Sequence, residues 1–409
     1  MARRRERGTA LVLVVIGMLA LLAMAGLALD TAHVLLNKSR LQSALDAAAL
    51  AAAKSLAGST STTLADAAAN AVFTQNYFGV YPELQSAVTG GLKLTTQYSS
   101  TLIPFNAGTA PAAFVRASIT GFATPMSLIS VLGIRSMNVA GSAVAGPSPP
   151  LVTACNIVPV FVCANTAVGK APLFNFQVGQ VLGLNLAAGS TSTIGPGNYG
   201  LLSLGGTGDN IVKGNLAGDY ANCASVNDTV PTQPGVGAGP VADGINTRFN
   251  VYKGGLSNPP YPPDPINSAT NQTSLTQNAN GDVIQSGTDI SQITPASSQA
   301  AALTFNYANY LAIAPANYDT AVPPAVPNRR VLAVPLGDCT GLANGRNSVT
   351  ISGFACMFLL QALGNGAKNN EIFAQITGGC DANGLPGGGG PTTGPFRIEL
   401  YKSAGSPDS

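Results

Sequence analysis

The chain has 409 residues, of which 46% are hydrophobic and only 9% charged. So few charges exclude an acidic disordered chain and set the protein apart from a charged cytosolic enzyme. The formal net charge is +2 and four arginines crowd the first seven residues, so no basic face is left for nucleic acid.

His33 is the one histidine. A Ser-His-Asp triad, a Cys-His dyad or a multi-His zinc site in the chain beyond it is therefore impossible. The 47 Gly and 28 Pro predict a body rich in turns and strands.

Residues 8–29 carry no charge. As a helix this run spans roughly 33 Å, against a hydrocarbon core of about 30 Å. Gly8, Leu11, Leu13, Ile16, Leu19, Leu22, Leu27 and Leu29 mark the expected membrane anchor. Arg3, Arg4, Arg5 and Arg7 precede it; the positive-inside rule keeps them cytoplasmic and sends the rest of the chain across. A cleaved signal peptide is the competing reading, with a core over 11–22 and the small pair Ala23 and Ala25. Against it, the apolar run continues past Ala25 and the helical pattern runs on well beyond.

Residues 30–56 hold neither Pro nor Gly, and Gly58 offers a stop. Leu41, Ala44, Leu45, Ala48, Ala51 and Ala52 recur at helical spacing. Such a stripe of small side chains lets a second helix approach closely, which predicts either a docking face for a partner helix or packing on the chain's own domain.

Arg7-Gly8, the apolar run, Asp30 and the string from Leu41 through Gln42, Ala44 and Asp46 to Ala53 resemble the N-terminal segment of the TadE/TadG-like family of Tad (Flp-type) pilus-assembly proteins. The resemblance implies a bacterial inner-membrane protein with a periplasmic domain that helps to assemble or anchor a pilus. Type IV prepilins place a Glu five residues after the cleavage glycine. Here the fifth residue after Gly8 is Leu13 and no acid precedes Asp30, so the chain is expected to stay uncut and to act as an assembly factor, not a major pilus subunit.

Residues 59–146 read as a small α+β, pilin-like unit. Thr62 or Thr63 caps a second helix through Phe78, stopped by Gly79; 92–98, 114–119 and 137–145 read as strands. Thr124-Pro125 predicts a cap and first-turn proline for a short helix ended by Gly133. Pro147, Pro149 and Pro150 make a stiff boundary.

Residues 147–409 read as a mainly β, Gly/Pro-rich periplasmic domain. Strands are expected at 331–334, 348–351, 354–360 and 396–401, and a helix from Thr294-Pro295 to Leu311. The stretch 224–295 looks loop-heavy, a candidate mobile region or partner surface. Strings at 195–199 and 239–249 resemble a TadG-like subgroup. The fold class is thus α+β: a long N-terminal helix (1–58 with its stub), the small α+β unit, then a disulfide-braced β domain.

Cys155, Cys163, Cys223, Cys339, Cys356 and Cys380 all lie in this last part. An even number in an exported domain favours disulfides, with 15 connectivities open to six cysteines. Cys155 and Cys163 can join only if the chain turns between them. No Cys-x-x-Cys spacing supports a metal site.

Other motifs fall short. Gly169-Lys170 lacks the earlier glycine of a phosphate loop. Asp289-Ile290-Ser291-Gln292 begins like the Asp-x-Ser-x-Ser metal site of von Willebrand A domains but lacks the second Ser. Asp338, Asp381 and Glu399 are candidates for a hydrolytic carboxylate pair, though isolated acids are usually just solvated. Tyr307, Tyr310 and Tyr318 with Phe305 form either a stacking surface or ordinary core.

The sequence therefore predicts a single-pass inner-membrane protein with its N-terminus cytoplasmic and its bulk periplasmic. No catalysis and no cofactor are expected. Its expected partners are the membrane and other pilus-assembly or secretion proteins, met through the Ala-rich helix and the periplasmic domain, with oligomerisation left open. The rival readings are an exported membrane-anchored hydrolase and a carbohydrate-binding protein or adhesin.

Overall fold

The computed structural model describes residues 7–164, 169–170, 173–184, 200–233, 238–319, 325–339, 346–364, 371–387 and 393–402. The Arg3–Arg5 cluster and the 195–199 string lie outside them. The chain divides into two compact units. One is Met1–Gly146 with Ile398–Ser409, and the other is Pro147–Arg397.

The first unit begins with α1 (Arg7–Ser59), a single helix of 53 residues. It holds no proline, and its Leu- and Ala-rich composition favours helix throughout. The stop comes just after Gly58, where Thr60 adopts a left-handed φ of 55° and its N–H donates to Leu56 O at 2.7 Å. Helix α2 (Thr62–Tyr77) follows at once. Its N-cap is Ser61, one residue before the expected threonines, and the Ser61 hydroxyl accepts from Leu64 N at 3.3 Å. Ala65, Ala69, Phe73 and Tyr77 recur every four residues and form the buried face of α2. A third helix, α3 (Pro82–Thr89), was not legible from the sequence pattern; Pro82 opens it and Leu84 anchors it.

The sheet of this unit runs β1 (Thr95–Ser99), β2 (Phe114–Pro125), β3 (Ser136–Pro147) and then a C-terminal strand, Ile398–Tyr401. In β2, Val115, Ala117 and Ile119 face the core in strict alternation. A bulge between Ile119 and Phe122, where Gly121 has φ 82°, resets the phase so that Phe122 and Thr124 return to the same face. Thr124 and Pro125 stay in β2, paired with Met137 and Ser136, instead of opening a helix. The short 3-10 helix that follows is Ile129–Leu132, ended by Gly133 at φ 89°. The C-terminal strand also departs from the expected boundaries: its pairing with β3 puts 398–401 in the first unit.

The second unit centres on an antiparallel sheet with one parallel edge. Its strands are β4 (Val162–Cys163), β5 (Val181–Leu184), β6 (Val331–Gly337), β7 (Ser348–Leu359) and β8 (Ile372–Thr377). They lie in the order β4-β6-β7-β8-β5. The two apolar runs expected around Gly353 are one continuous strand, β7. The sheet is covered on both faces. Leu332, Val334, Ala355, Met357 and Ile376 pack with helices α4 (Asp209–Ala217) and α5 (Ala238–Asn246), through Val212, Leu216, Val241 and Ile245. Phe358, Leu360 and Phe373 pack with Ile266, Leu275, Val283, Ile290, Phe305 and Tyr310. Double coverage explains the unbroken hydrophobic run of β7.

That second cluster corrects the reading of 224–295 as loop. The stretch contains α5 and a small sheet of Leu275–Gln277, Val283–Gln285 and Thr288–Asp289. The expected helix 294–311 is two pieces, a 3-10 helix Ala296–Ala302 and α6 (Tyr307–Ala312). Leu303 is extended between them, and Asn306 caps α6 by accepting from Asn309 N.

Three disulfides brace the unit: Cys155–Cys223, Cys163–Cys339 and Cys356–Cys380. Cys155 and Cys223 sit opposite each other on antiparallel strands, with Cα atoms 3.9 Å apart. Cys163–Cys339 fastens the edge strand β4 to the end of β6. Cys155 and Cys163 thus each find a distant partner, not one another. The loop-closure model assigns each bridge about 3–5 kcal/mol.

Candidate functional site

The membrane-proximal helix is the feature most distinct from an ordinary folded body. Over residues 11–25 every position of α1 is exposed, and Leu11, Leu13, Ile16, Leu19 and Leu22 each leave more than half of their surface uncovered. Leu27 and Leu29 are likewise exposed. A helix that is apolar all round, with no protein against it, is long and apolar enough to cross a membrane.

The C-terminal half of α1 is built into the first unit in a graded way. Gly26 is buried, and a Cβ there would meet Leu128 Cβ at 3.0 Å, so only glycine permits the contact without a shift. One turn later Asp30, also buried, accepts from the backbone N–H of Ser127 at 3.1 Å, Leu128 at 2.9 Å and Ile129 at 2.6 Å. The N–H groups that open the short 3-10 helix are therefore capped from α1, not by Thr124. His33 Nε2 lies 2.8 Å from Glu83 Oε1, and Asn37 donates to Glu83 Oε2 at 2.6 Å. The single histidine is thus committed to the first turn of α3. Farther along, Gln42 donates to Ser142 O at 3.0 Å.

The Ala-rich stripe follows. Leu41, Ala44, Leu45, Ala48 and Ala52 are fully buried, in one cluster with Ala65, Ala69 and Phe73 of α2 and Val115, Ala117 and Ile119 of β2. Ala51 is half-buried. The stripe thus packs against the protein's own α2 and sheet. Small side chains let these elements approach closely.

The other candidate residues resolve into structural parts. Asp338 follows β6, Asp381 ends the strand Gly379–Asp381, and Glu399 lies in the C-terminal strand of the first unit, so the three acids belong to separate elements. Asp289 Oδ1 accepts from the backbone N–H and the hydroxyl of Ser291, a local turn. Among the described residues no group of three or more His, Cys, Asp or Glu could hold a metal ion. A surface depression beside α3 is lined by Pro82, Gln85, Ser86, Thr89 and Gly90, with no acid or base among them to activate the Ser86 or Thr89 hydroxyl.

The aromatic cluster is core, and it surrounds a residue that the sequence reading missed. Phe305 and Tyr310 are buried, Tyr307 and Tyr318 are half-buried, and the rings of Tyr307 and Tyr310 each contact Phe358. At the centre is Arg330, fully buried. All five guanidinium N–H groups find carbonyls: Nε reaches Leu359 O at 3.1 Å, Nη1 reaches Ile266 O at 3.0 Å and Asn271 O at 2.8 Å, and Nη2 reaches Leu359 O at 2.9 Å and Leu360 O at 3.2 Å. Phe249 and Phe358 lie under the cation at 4.8 and 4.6 Å. Buried Asp264 supplies the counter-charge and accepts from Arg330 N and from the Tyr310 hydroxyl at 2.9 Å. Burial pushes Arg330 down to about 10, which leaves it cationic at neutral pH, and pushes Asp264 up. The constellation sews the long 250–330 connection onto β7. The adjacent pair Arg329-Arg330, set between a Pro-rich stretch and an apolar strand in so uncharged a chain, was the available signal.

Residues 8–55 match the Tad family model, described as Flp pilus-assembly TadE/G-like. The matched segment is α1 almost from end to end. It is the family that the sequence resembles. No curated protein and no solved structure matches the chain.

Proposed function

We propose that this protein is a non-catalytic, single-pass inner-membrane component of a Tad/Flp-type pilus-assembly or secretion system, anchoring a periplasmic interaction domain. The observation that carries the reading is that the family match falls on one uninterrupted helix whose inner half is bare and apolar and whose outer half is core. Retention of the segment is favoured by the contacts that begin at Gly26 and Asp30: cleavage after Ala25 would cut α1 where the folded unit takes hold of it. The arginines at 3, 4, 5 and 7 orient the helix with its N-terminus inside.

The mechanism is positional. The membrane half of α1 fixes the protein in the bilayer, the outer half carries a rigid unit, and the disulfide-braced second unit presents a surface to pilus or secretion proteins. Since the Ala stripe is occupied, such partners meet the second unit or the membrane half of α1.

N-terminal sequencing of protein extracted from the membranes of its host tests the reading, together with protease treatment of spheroplasts. The expected result is an unprocessed N-terminus, with both compact units digested from outside. A mature start near Gly26 or at Thr9, or loss of pilus assembly being absent on deletion of the gene, would overturn it.

A further inference from the structure

The β2–β3 hairpin descends along α1 toward the membrane end of the helix. Ser142 O, in β3, meets Gln42 of α1, whereas the hairpin tip meets Asp30 and Gly26. The two paths agree in length: six strand steps from 142 to 136 cover about 20 Å, and twelve helix steps from 42 to 30 cover about 18 Å. The tip therefore ends beside residues 26–30. Gly26 lies about 4.5 Å inward of Leu29, the outer end of the uncharged run. A bilayer thick enough to cover that run also reaches Leu128.

The tip is dressed for such a place. Val131 is 87% exposed, and Leu128, Ile134 and Met137 are each about half exposed, on a loop that also carries Ser127, Ser130, Ser136 and an exposed Arg135. Large apolar side chains set among hydroxyls and one long cation suit the headgroup boundary, where the hydrocarbon sinks and the cation reaches phosphate.

We propose that residues 126–137 form a lipid-inserting wedge, placing Leu128, Val131 and Ile134 in the outer leaflet of the membrane that α1 spans. The proposal rests on α1 being retained in the bilayer. The wedge gives the first unit a second attachment beside the helix and, through the Asp30 cap, fixes which side of the unit faces the lipid.

The chain has no tryptophan, so one introduced indole reports alone. Full-length protein is reconstituted in phosphatidylethanolamine/phosphatidylglycerol vesicles whose acyl chains are brominated either near the headgroup or near the chain centre. Val131→Trp tests the wedge, and Ile134→Trp tests it again should the first variant misfold. Val14→Trp reports the anchor. Ile103→Trp, exposed in the β1–β2 connection at the opposite end of β2 from the tip, is the control. We expect the wedge variants to shift to the blue and lose about half of their emission to the shallow bromines. Val14→Trp responds to the deep ones and Ile103→Trp to neither. If Val14→Trp is quenched while both wedge variants behave like Ile103→Trp, the wedge is wrong and the anchor stands. If Val14→Trp is unquenched, anchor and wedge fall together. Equal quenching of Ile103→Trp would mean general adsorption and would also overturn the wedge.

Discussion

Replacing Arg330 by methionine probes the constellation that orders the second unit. Methionine keeps an unbranched apolar stem, but it removes every donor and the planar cation that lies against Phe249 and Phe358. The carbonyls of Ile266, Asn271 and Leu359 each lose a partner, while Leu360 O keeps its bond from Thr273 N at 3.1 Å. Each buried carbonyl left short costs about 1–3 kcal/mol before relaxation. Asp264, which the Arg330 cation favours in its charged form through space and not through a side-chain bond, also loses that support. The two losses overlap, so about 4 kcal/mol is expected, a large part of the roughly 5–15 kcal/mol that holds a domain folded.

Urea unfolding of the full chain in detergent, followed by near-ultraviolet circular dichroism of the tyrosines, measures the loss. The loss should depend on pH. The folded-state value of Asp264 is raised above 3.8, so its contribution to stability is present below that value and fades as pH rises through the folded one. Without Arg330 that value climbs further, and the deficit of Arg330→Met should shrink as the solution is made acidic. Adding Asp264→Asn should recover part of the loss. A deficit under about 1 kcal/mol, or one that does not change with pH, would refute the account of the buried pair.

Three other expectations follow from the packing. Ala48→Leu should lower the stability of the first unit by about 1–3 kcal/mol, since the site is fully enclosed; half-buried Ala51→Leu should do less, and equal, unaltered melting of both would contradict the internal role of the stripe. Alkylation without reductant should label no cysteine and after reduction all six, with any labelled thiol in the native protein counting against the assigned bridges. Burial opposes ionisation of Asp319, but bonds from Ser268 N, the Asn271 amide and Asn267 N outweigh it and hold its carboxyl below the usual range. Its contribution is therefore present above about 3.8 and lost as pH falls through the folded value. Hydrogen exchange at 267 and 268 should accelerate in that acidic window, and exchange rates that follow only the intrinsic pH dependence would refute the tether.

Legibility from sequence followed the length of the signal. The apolar run and the Ala-rich repeat extend over many turns without a breaker, so α1 was readable almost to its last residue. What the stripe packs against was not, because Ala at every fourth position suits an internal neighbour and a foreign helix equally. Helices α4 and α5 escaped notice for a different reason: each is short and contains glycine, and it is the burial of Val212, Leu216, Val241 and Ile245 on the sheet that holds them helical. The short helix after β2 could be located but not its cap, since Asp30 is nearly a hundred residues away. Disulfide partners and the Arg330–Asp264 pair are long-range in the same sense, and local pattern carries no information about them.

The return of Ile398–Tyr401 to the first sheet has a consequence for biosynthesis. The second unit is spliced into the first, between β3 and that strand. On the proposed topology the first unit emerges early but keeps an open sheet edge until some 250 further residues have been translated. An unpaired edge invites wrong pairing with another nascent copy. A ribosome stalled before residue 398 should therefore leave β3 accessible to protease, and synthesis past Tyr401 should close that window.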